Sequence, residues 1–354
     1  MSFGEDAIPS SMSEKILIVD DEVAVCAGLE LLLRRQGYEI RTADDGDRAL
    51  EECAAFRPDL ILLDVMMPGR DGYEICWEIK SRPEMRLIPV VLITGLTERS
   101  DRIRGIEAGA DDFLSKPIDV SELNARVRSL LRLKSFTDEL ENAEAVLFSL
   151  ALSIEARDPY THGHCARLAE FSARMGERLA LPAEEITSLR RAGIVHDVGK
   201  VVVPDAVLLK PGPLTVEERL VIKEHPSTGE RICSPLKTFQ TVLPIIRHHH
   251  ERWDGSGYPD GLRGDAVPLT ARILQVVDVY DALTTNRPYR SALSPADAWK
   301  ILQVEVERGW WDGNLVEEFR AMTQSKERAT EARENGKHAS IAAARTAAKS
   351  ASAR

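Results

Sequence analysis

Lys15-Ile16-Leu17-Ile18-Val19-Asp20-Asp21 settles how the first half of this 354-residue chain folds. Four consecutive aliphatic residues run straight into two carboxylates. An unbroken apolar run suits a strand buried on both faces of a parallel sheet, where no polar face is needed. Asp59–Asp64 (DLILLD) and Ile88–Ile93 (IPVVLI) have the same form, and weaker strand patterns lie at Tyr38–Thr42 and Asp112–Ser115. Helical patterns fill the gaps at Val23–Gln36, Gly46–Ala55, Gly72–Lys80 and Arg99–Ala108. Strand–helix alternation at this spacing predicts a doubly wound α/β domain, whose ligands gather at the carboxyl ends of the strands.

Those ends carry chemistry. The first strand runs into Asp20-Asp21, the third into Asp64, the fourth into Thr94, and the fifth is followed by Lys116-Pro117. Three carboxylates on one sheet edge repel unless a cation sits between them, and an all-oxygen set of this kind suits Mg²⁺. A lysine and a hydroxyl beside them suit phosphoryl oxygens. In this order the residues resemble a response-regulator receiver domain of flavodoxin-like α/β fold, spanning residues 13–134 after a flexible stretch 1–12. The resemblance implies that Asp64 is the phosphoacceptor, supplied by a cognate histidine kinase. It implies that Asp20, Asp21, Asp64 and the backbone carbonyl of Met66 bind Mg²⁺, and that Thr94, Phe113 and Lys116 form the switch. An acyl phosphate at Asp64 adds charge that Thr94 and Lys116 can re-pair with, biasing a two-state surface.

From Val120 the pattern is that of a long helix, with residues 135–150 as a linker. Phe136, Leu140, Ala143, Leu147 and Leu150 recur at 4,3,4,3 spacing. Two heptads of this kind fit either a dimeric signalling seam or an amphipathic helix packed on its own domain.

Histidine placement divides the chain chemically. Seven of the eight lie between residues 162 and 250, the eighth is His338, and the first 161 residues have none. The second half reads as all helix, with candidates Glu144–Ala156, His162–Leu179, Ala183–Asp197, Val216–His225, Phe239–Arg252, Ala271–Leu283, Pro295–Arg308 and Asn314–Met322. A Gly- and Pro-rich loop between Trp253 and Pro268 interrupts them. Neutral imidazole with carboxylate and no thiolate suits Fe, Mn, Ni, Zn or Co better than Ca or Mg. His196 and Asp197 are adjacent, so on a helix their side chains diverge by ~100°. One can then hold one ion while the other's carboxylate reaches a second.

His164, then His196-Asp197, then Asp278 is an order that resembles the HD phosphohydrolases. The segments GHCARLAEF, HDVGK, EHPSTGE, HHERWDGSGYPDGLRG and DVYDALTTNRPYR narrow the resemblance to the HD-GYP group over residues ~150–310. It implies an all-α HD-type domain (151–323) that is a cyclic di-GMP phosphodiesterase. The implied metal ligands are His164, His196, Asp197, His225, His249, His250 and Asp278, with Asp197 bridging. Lys200 points at the scissile phosphate, and Tyr258, Arg287 and Arg290 bind substrate. The implied chemistry is attack by a bridging hydroxide, giving the linear dinucleotide, GMP or both. Iron is the first choice of metal. Tyr160 stands where some members carry a glutamate that helps hold a third ion, so two metals are expected, with Glu155 the only nearby substitute. His248 and His162 read as exposed or supporting residues.

The formal charge of −11 excludes bulk attraction to DNA or to a membrane surface. The five cysteines are widely spaced, which suits reduced thiols in a cytoplasmic protein. Residues 324–354 hold seven basic and three acidic side chains from 325 onward with no sustained apolar face, and read as disordered. Two other readings share these residues. One is a cyclic di-GMP-binding or partner-docking module with little turnover, contacting diguanylate-cyclase domains. The other keeps the hydrolysis and changes the substrate to another cyclic dinucleotide or a guanosine polyphosphate.

Overall fold

The computed structural model describes residues 13–95, 99–157, 163–286 and 291–324. The chain divides into two compact units, Met1–Ala143 and Glu144–Arg354. Tyr160, His162, Arg287, Arg290, the first twelve residues and the tail from 325 lie outside the described residues.

The first unit is a five-stranded parallel sheet in the order β2-β1-β3-β4-β5. Its strands are β1 (Lys15–Val19), β2 (Glu39–Ala43), β3 (Leu60–Asp64), β4 (Val90–Thr94) and β5 (Asp112–Ser115). Side chains alternate between the two faces of a strand. Leu17 and Val19 therefore enter one core, while Ile16 and Ile18 enter the other. Helices α1 (Val23–Arg34), α2 (Gly46–Phe56), α3 (Gly72–Ser81), α4 (Arg99–Glu107) and the start of α5 (Val120–Arg157) cover these faces. Asp45 caps α2 by accepting from the Arg48 amide, and Asp71 caps α3 by accepting from Glu74. The fourth strand starts two residues later than expected, just beyond Pro89, which has no N–H to give the ladder. The order reverses between β1 and β3, and a ligand crevice opens at such a switch point.

The expected linker is part of one 38-residue helix, α5. Leu123, Val127 and Leu131 belong to the first unit's core, and Leu147, Ala151 and Ile154 to the second's. The heptad seam is thus split: Leu147 is buried, while Phe136 and Leu140 are exposed.

Among its described residues the second unit has helices and loops and no strand. It contains α6 (His164–Arg178), α7 (Ala183–Val195), α8 (Asp205–Leu208), α9 (Val216–Lys223), α10 (His225–Cys233), α11 (Leu243–His248), α12 (Leu269–Thr284) and α13 (Pro295–Glu307), with a last helix, α14, over 313–324. Three helices differ from expectation. The single helix expected over Val216–His225 stops at Lys223, and α10 restarts at His225 with Pro226 in its first turn. Pro226 has no N–H to give the Ile222 carbonyl, so the helical ladder of α9 cannot run on through it. The helix expected over Phe239–Arg252 shrinks to α11, with Pro244 in its first turn. Helix α7 ends at Val195, before His196 and Asp197, and a 3₁₀ turn follows over Val198–Val202.

Candidate metal centres

At the carboxyl edge of the sheet, oxygens of Asp20, Asp21 and Asp64 lie within 4.8 Å of one another. Asp20 and Asp64 are buried. The Lys116 ammonium sits 3.1 Å from Asp20 Oδ2 and 3.0 Å from Asp64 Oδ1. Burial, aided by Asp20 and Asp21, raises the Asp64 pKa above the ordinary aspartate value, against the opposing pull of Lys116. Thr94 ends β4 in register with Ser115, which brings it to the same edge. Met66 lies two residues past Asp64 with its side chain exposed, which suits a residue used through its backbone. The Phe113 ring is half-buried over α4. Gly105 makes room for it, since a Cβ there would come within 2.4 Å of the ring.

The helical unit gathers the other set. Potential ligand atoms of His164, His196 and Asp278 form one group, and those of Asp197, His225, His249 and His250 form a second, each within 4.8 Å. All seven side chains expected from the sequence are therefore brought together. Asp197 faces both groups: Oδ2 lies 3.3 Å from His196 Nε2, and Oδ1 lies 3.1 Å from His225 Nε2 and 3.9 Å from His249 Nε2. The expected ~100° divergence of His196 and Asp197 fails. Asp197 leaves the helix with φ −96° and ψ 6°, and its carboxylate meets the neighbouring imidazole.

The tautomers follow from the acceptors. His196, His225 and His249 each stand just past a helix C-terminus. Each Nδ1–H donates to the carbonyl three residues back: Gly193 at 3.3 Å, Ile222 at 2.7 Å and Ile246 at 2.7 Å. These are among the carbonyls a helix end leaves without an intrahelical partner. A carbonyl can only accept, so Nδ1 carries the proton and Nε2 presents a lone pair inward. His225 Nε2 and His249 Nε2 consequently face each other at 3.3 Å. Two lone pairs at that distance repel unless a cation stands with them. His196 Nε2 and Asp197 Oδ1 are also buried without a hydrogen-bond partner. Orphaned inward-facing donors of this kind fit divalent metal.

Electrostatics at His249 and His250 agree with that fit, while Asp197 raises the pKa of the adjacent His196 against the effect of burial. Burial, then the neighbouring imidazoles, hold His249 and His250 well below the usual histidine value, which keeps them neutral. Burial opposes ionisation of Asp197, but the adjacent Lys200 ammonium holds the carboxyl well below the usual range. Lys200 donates to Asp197 Oδ2 at 2.5 Å. Tyr258 stacks on His250 with ring centroids 4.8 Å apart and planes at 23°. A cavity lined by Ile154, Glu155, His164, Asp197, Lys200 and Leu208 opens beside the cluster. Glu155 accepts from the Cys165 amide at 3.2 Å.

Comparison with known proteins bears on the whole chain. Residues 16–128 match the response regulator receiver domain, and residues 149–315 match the HD domain. The chain is 38% identical over 314 residues to the cyclic di-GMP phosphodiesterase response regulator RpfG of Xanthomonas campestris pv. campestris, covering 82% of this chain and 83% of that protein. It is 37% identical over 339 residues to a probable cyclic di-GMP phosphodiesterase of Vibrio cholerae, covering 86% and 76%. A cyclic di-GMP phosphodiesterase of Thermotoga maritima is 33% identical over 316 residues, covering 81% and 85%. The chain belongs to the HD-GYP response-regulator family.

Within this HD-GYP domain, sequence reasoning missed Asp281. It is buried and accepts from His164 Nδ1 at 2.8 Å and from Arg167 Nε at 2.5 Å and Nη2 at 2.9 Å. It therefore does for His164 what carbonyls do for the other three, turning Nε2 inward, 3.5 Å from Asp278 Oδ1. The signal was present as a second aspartate three residues after Asp278, one turn along α12. His248 is not exposed: its side chain is largely buried, with Nδ1 3.5 Å from Asp260 Oδ2. No described helix is long and apolar enough to cross a membrane. All five cysteines are buried and free.

Proposed function

We propose that this response regulator hydrolyses cyclic di-GMP in its HD-GYP domain, under control of phosphorylation at Asp64. The observation that carries the reading is the convergence of inward-facing Nε2 lone pairs on both oxygens of Asp197. The three relatives that align along most of the chain are named for cleavage of this nucleotide.

In this reading His164, His196 and Asp278 would hold one divalent ion and His225, His249 and His250 a second, with the Asp197 carboxylate available to both. Such ions supply Lewis acidity toward a phosphodiester oxygen and acidify water near neutral pH. Iron is the first candidate, with Mn, Ni, Co or Zn as alternatives, because the donors are imidazole and carboxylate without thiolate. Lys200 brings a positive charge to the open side of Asp197, available to non-bridging phosphate oxygens or to the departing 3′ oxygen. Tyr258 offers a ring to a base beside His250, and Arg287 and Arg290 offer planar guanidinium groups to the second phosphate or a guanine edge. The product is the linear dinucleotide, GMP or both. In the receiver, Asp20, Asp21, Asp64 and Met66 hold Mg²⁺, and a cognate histidine kinase supplies the phosphoryl group that Thr94 and Lys116 then contact. A homodimer through the exposed part of α5 or through the receiver would suit Phe136 and Leu140.

The test is His196→Ala combined with Asp197→Ala in the full chain. Metal content and cyclic di-GMP cleavage should both vanish while acetyl phosphate still labels Asp64. Cleavage by that double variant would refute the assignment. A fully metallated wild type that binds cyclic di-GMP without cleaving it would favour a binding module.

A further inference from the structure

Glu251 follows the ligand pair His249-His250 directly, and its side chain is completely buried. A carboxyl group in such a position needs partners for its oxygens. It finds them in three successive backbone amides. Oε1 accepts from Asp260 at 2.7 Å and Gly261 at 3.1 Å, and Oε2 accepts from Leu262 at 3.1 Å. Three amides in a row pointing at one group require a tight bend, and Gly261 supplies it with φ +67°. All three belong to the strand of loop that leaves the Gly-Tyr-Pro turn.

The same loop closes back on the ligand turn at its other end. The Tyr258 amide donates to the His250 carbonyl at 3.1 Å. Gly257 lies so close that a Cβ there would stand 2.4 Å from Glu251 Cα. Asp260 is pinned separately, its two oxygens accepting from Arg247 Nη2 at 2.8 Å and Nε at 2.7 Å. His248, Glu251 and Asp260 look like a third cation cluster by proximity. The carboxylate oxygens of Glu251 and Asp260 are already taken by the three amides and by Arg247, which argues against a cation there.

We infer that Glu251 is a positioning residue: it ties the substrate loop to the metal-ligand turn and so sets the Tyr258 ring against His250. The inference rests on the cyclic di-GMP reading above. Its physical content is that a single buried carboxylate takes three amides of the loop, beside the Arg247–Asp260 pair, the Tyr258–His250 backbone bond and the ring stack. A ligand turn that shifts carries the loop with it.

The experiment compares wild type with Glu251→Gln, Tyr258→Ala and the double variant, in the full metallated chain. Glutamine keeps the shape but turns its carboxamide NH2 toward the Leu262 amide, donor against donor. Glu251→Gln should raise KM for cyclic di-GMP about tenfold, the scale of one unsatisfied buried group. Metal content and hydrolysis of the small diester bis(p-nitrophenyl) phosphate, which needs no base-contacting loop, should hold. Because Glu251 acts through Tyr258, the double variant should be no worse than Tyr258→Ala alone. Glu251→Asp, which keeps the charge, should recover part of the lost affinity. Loss of metal in Glu251→Gln, additive effects in the double variant, or an unchanged KM would each overturn the positioning role. An inert wild type would instead overturn the substrate reading itself, which separates the two failures.

Discussion

The two candidate metal sites of this chain are built from opposite materials. The receiver pocket is all oxygen, set at the ends of parallel strands, and its buried Asp20 and Asp64 share one lysine. The HD-GYP centre is mostly imidazole, and three of its histidines, His196, His225 and His249, stand just past helix C-termini with each Nδ1 spent on a helix carbonyl. The first arrangement concentrates negative charge and leaves it balanced by Lys116. That suits a hard, exchangeable ion that shares its place with a phosphoryl group. The second arrangement orients neutral lone pairs before any ion arrives, and the negative ends of the helices favour positive charge there. Such preorganisation suits ions that stay bound through a catalytic cycle.

The largest expected effect tests whether the sites are independent. Asp197→Ala should reduce cyclic di-GMP cleavage at least about a thousandfold, the scale of removing several kcal/mol of charge stabilisation. Acetyl phosphate labelling of Asp64 should be untouched; its loss would break the separation. A smaller effect tests the supports. Asp281→Asn keeps all seven ligands but weakens the anchor of His164, and metal affinity measured by chelator competition should fall about 10–100-fold. An unchanged affinity would mean that His164 does not need its anchor.

In the receiver the support is a cation rather than a carbonyl. Lys116→Met should lower unfolding stability of that unit by about 2 kcal/mol, the range for hydrogen bonds to charged groups. Excess Mg²⁺ should restore much of the loss, because it replaces the missing charge between Asp20 and Asp64. Denaturant melts with and without Mg²⁺ read this directly, and a loss that Mg²⁺ leaves untouched would count against a shared role. The smallest effect is a control on local structure. Thr215 and Glu218 form a capping box at the start of α9. Thr215→Ala should cost about 1 kcal/mol in thermal stability. Metal content should not change. A change there would link α9 to the centre through His225.

Much of this was legible in the residues. The aliphatic runs ending in Asp20 and Asp64 marked the parallel sheet because a doubly buried strand has no polar face to keep. The seven side chains expected to hold metal stood out because imidazole and carboxylate in ordered motifs serve no packing purpose. The breaks before Pro226 and Pro244 were also written in the sequence, as prolines, but apolar periodicity obscured them. Asp281 and Glu251 were visible only as residues near a motif. Nothing local distinguishes an aspartate that orients His164 from one that faces water. Nothing local says that a glutamate will be enclosed by amides ten residues away.

Beyond the role of Asp64 that the resemblance to receiver domains implies, the amino-acid sequence by itself determined the two architectures and the ligand types gathered in each. These depend on burial pattern and on functional groups, which are properties of residues and their spacing. Only the tertiary structure decided which nitrogen of each histidine faces inward, that Asp197 turns back to meet His196, and that Glu251 holds the loop bearing Tyr258. Those depend on which acceptor lies within about 3 Å of a given atom, the reach of a hydrogen bond. That distance is set by how helices pack against one another, and the spacing of residues along the chain does not contain it.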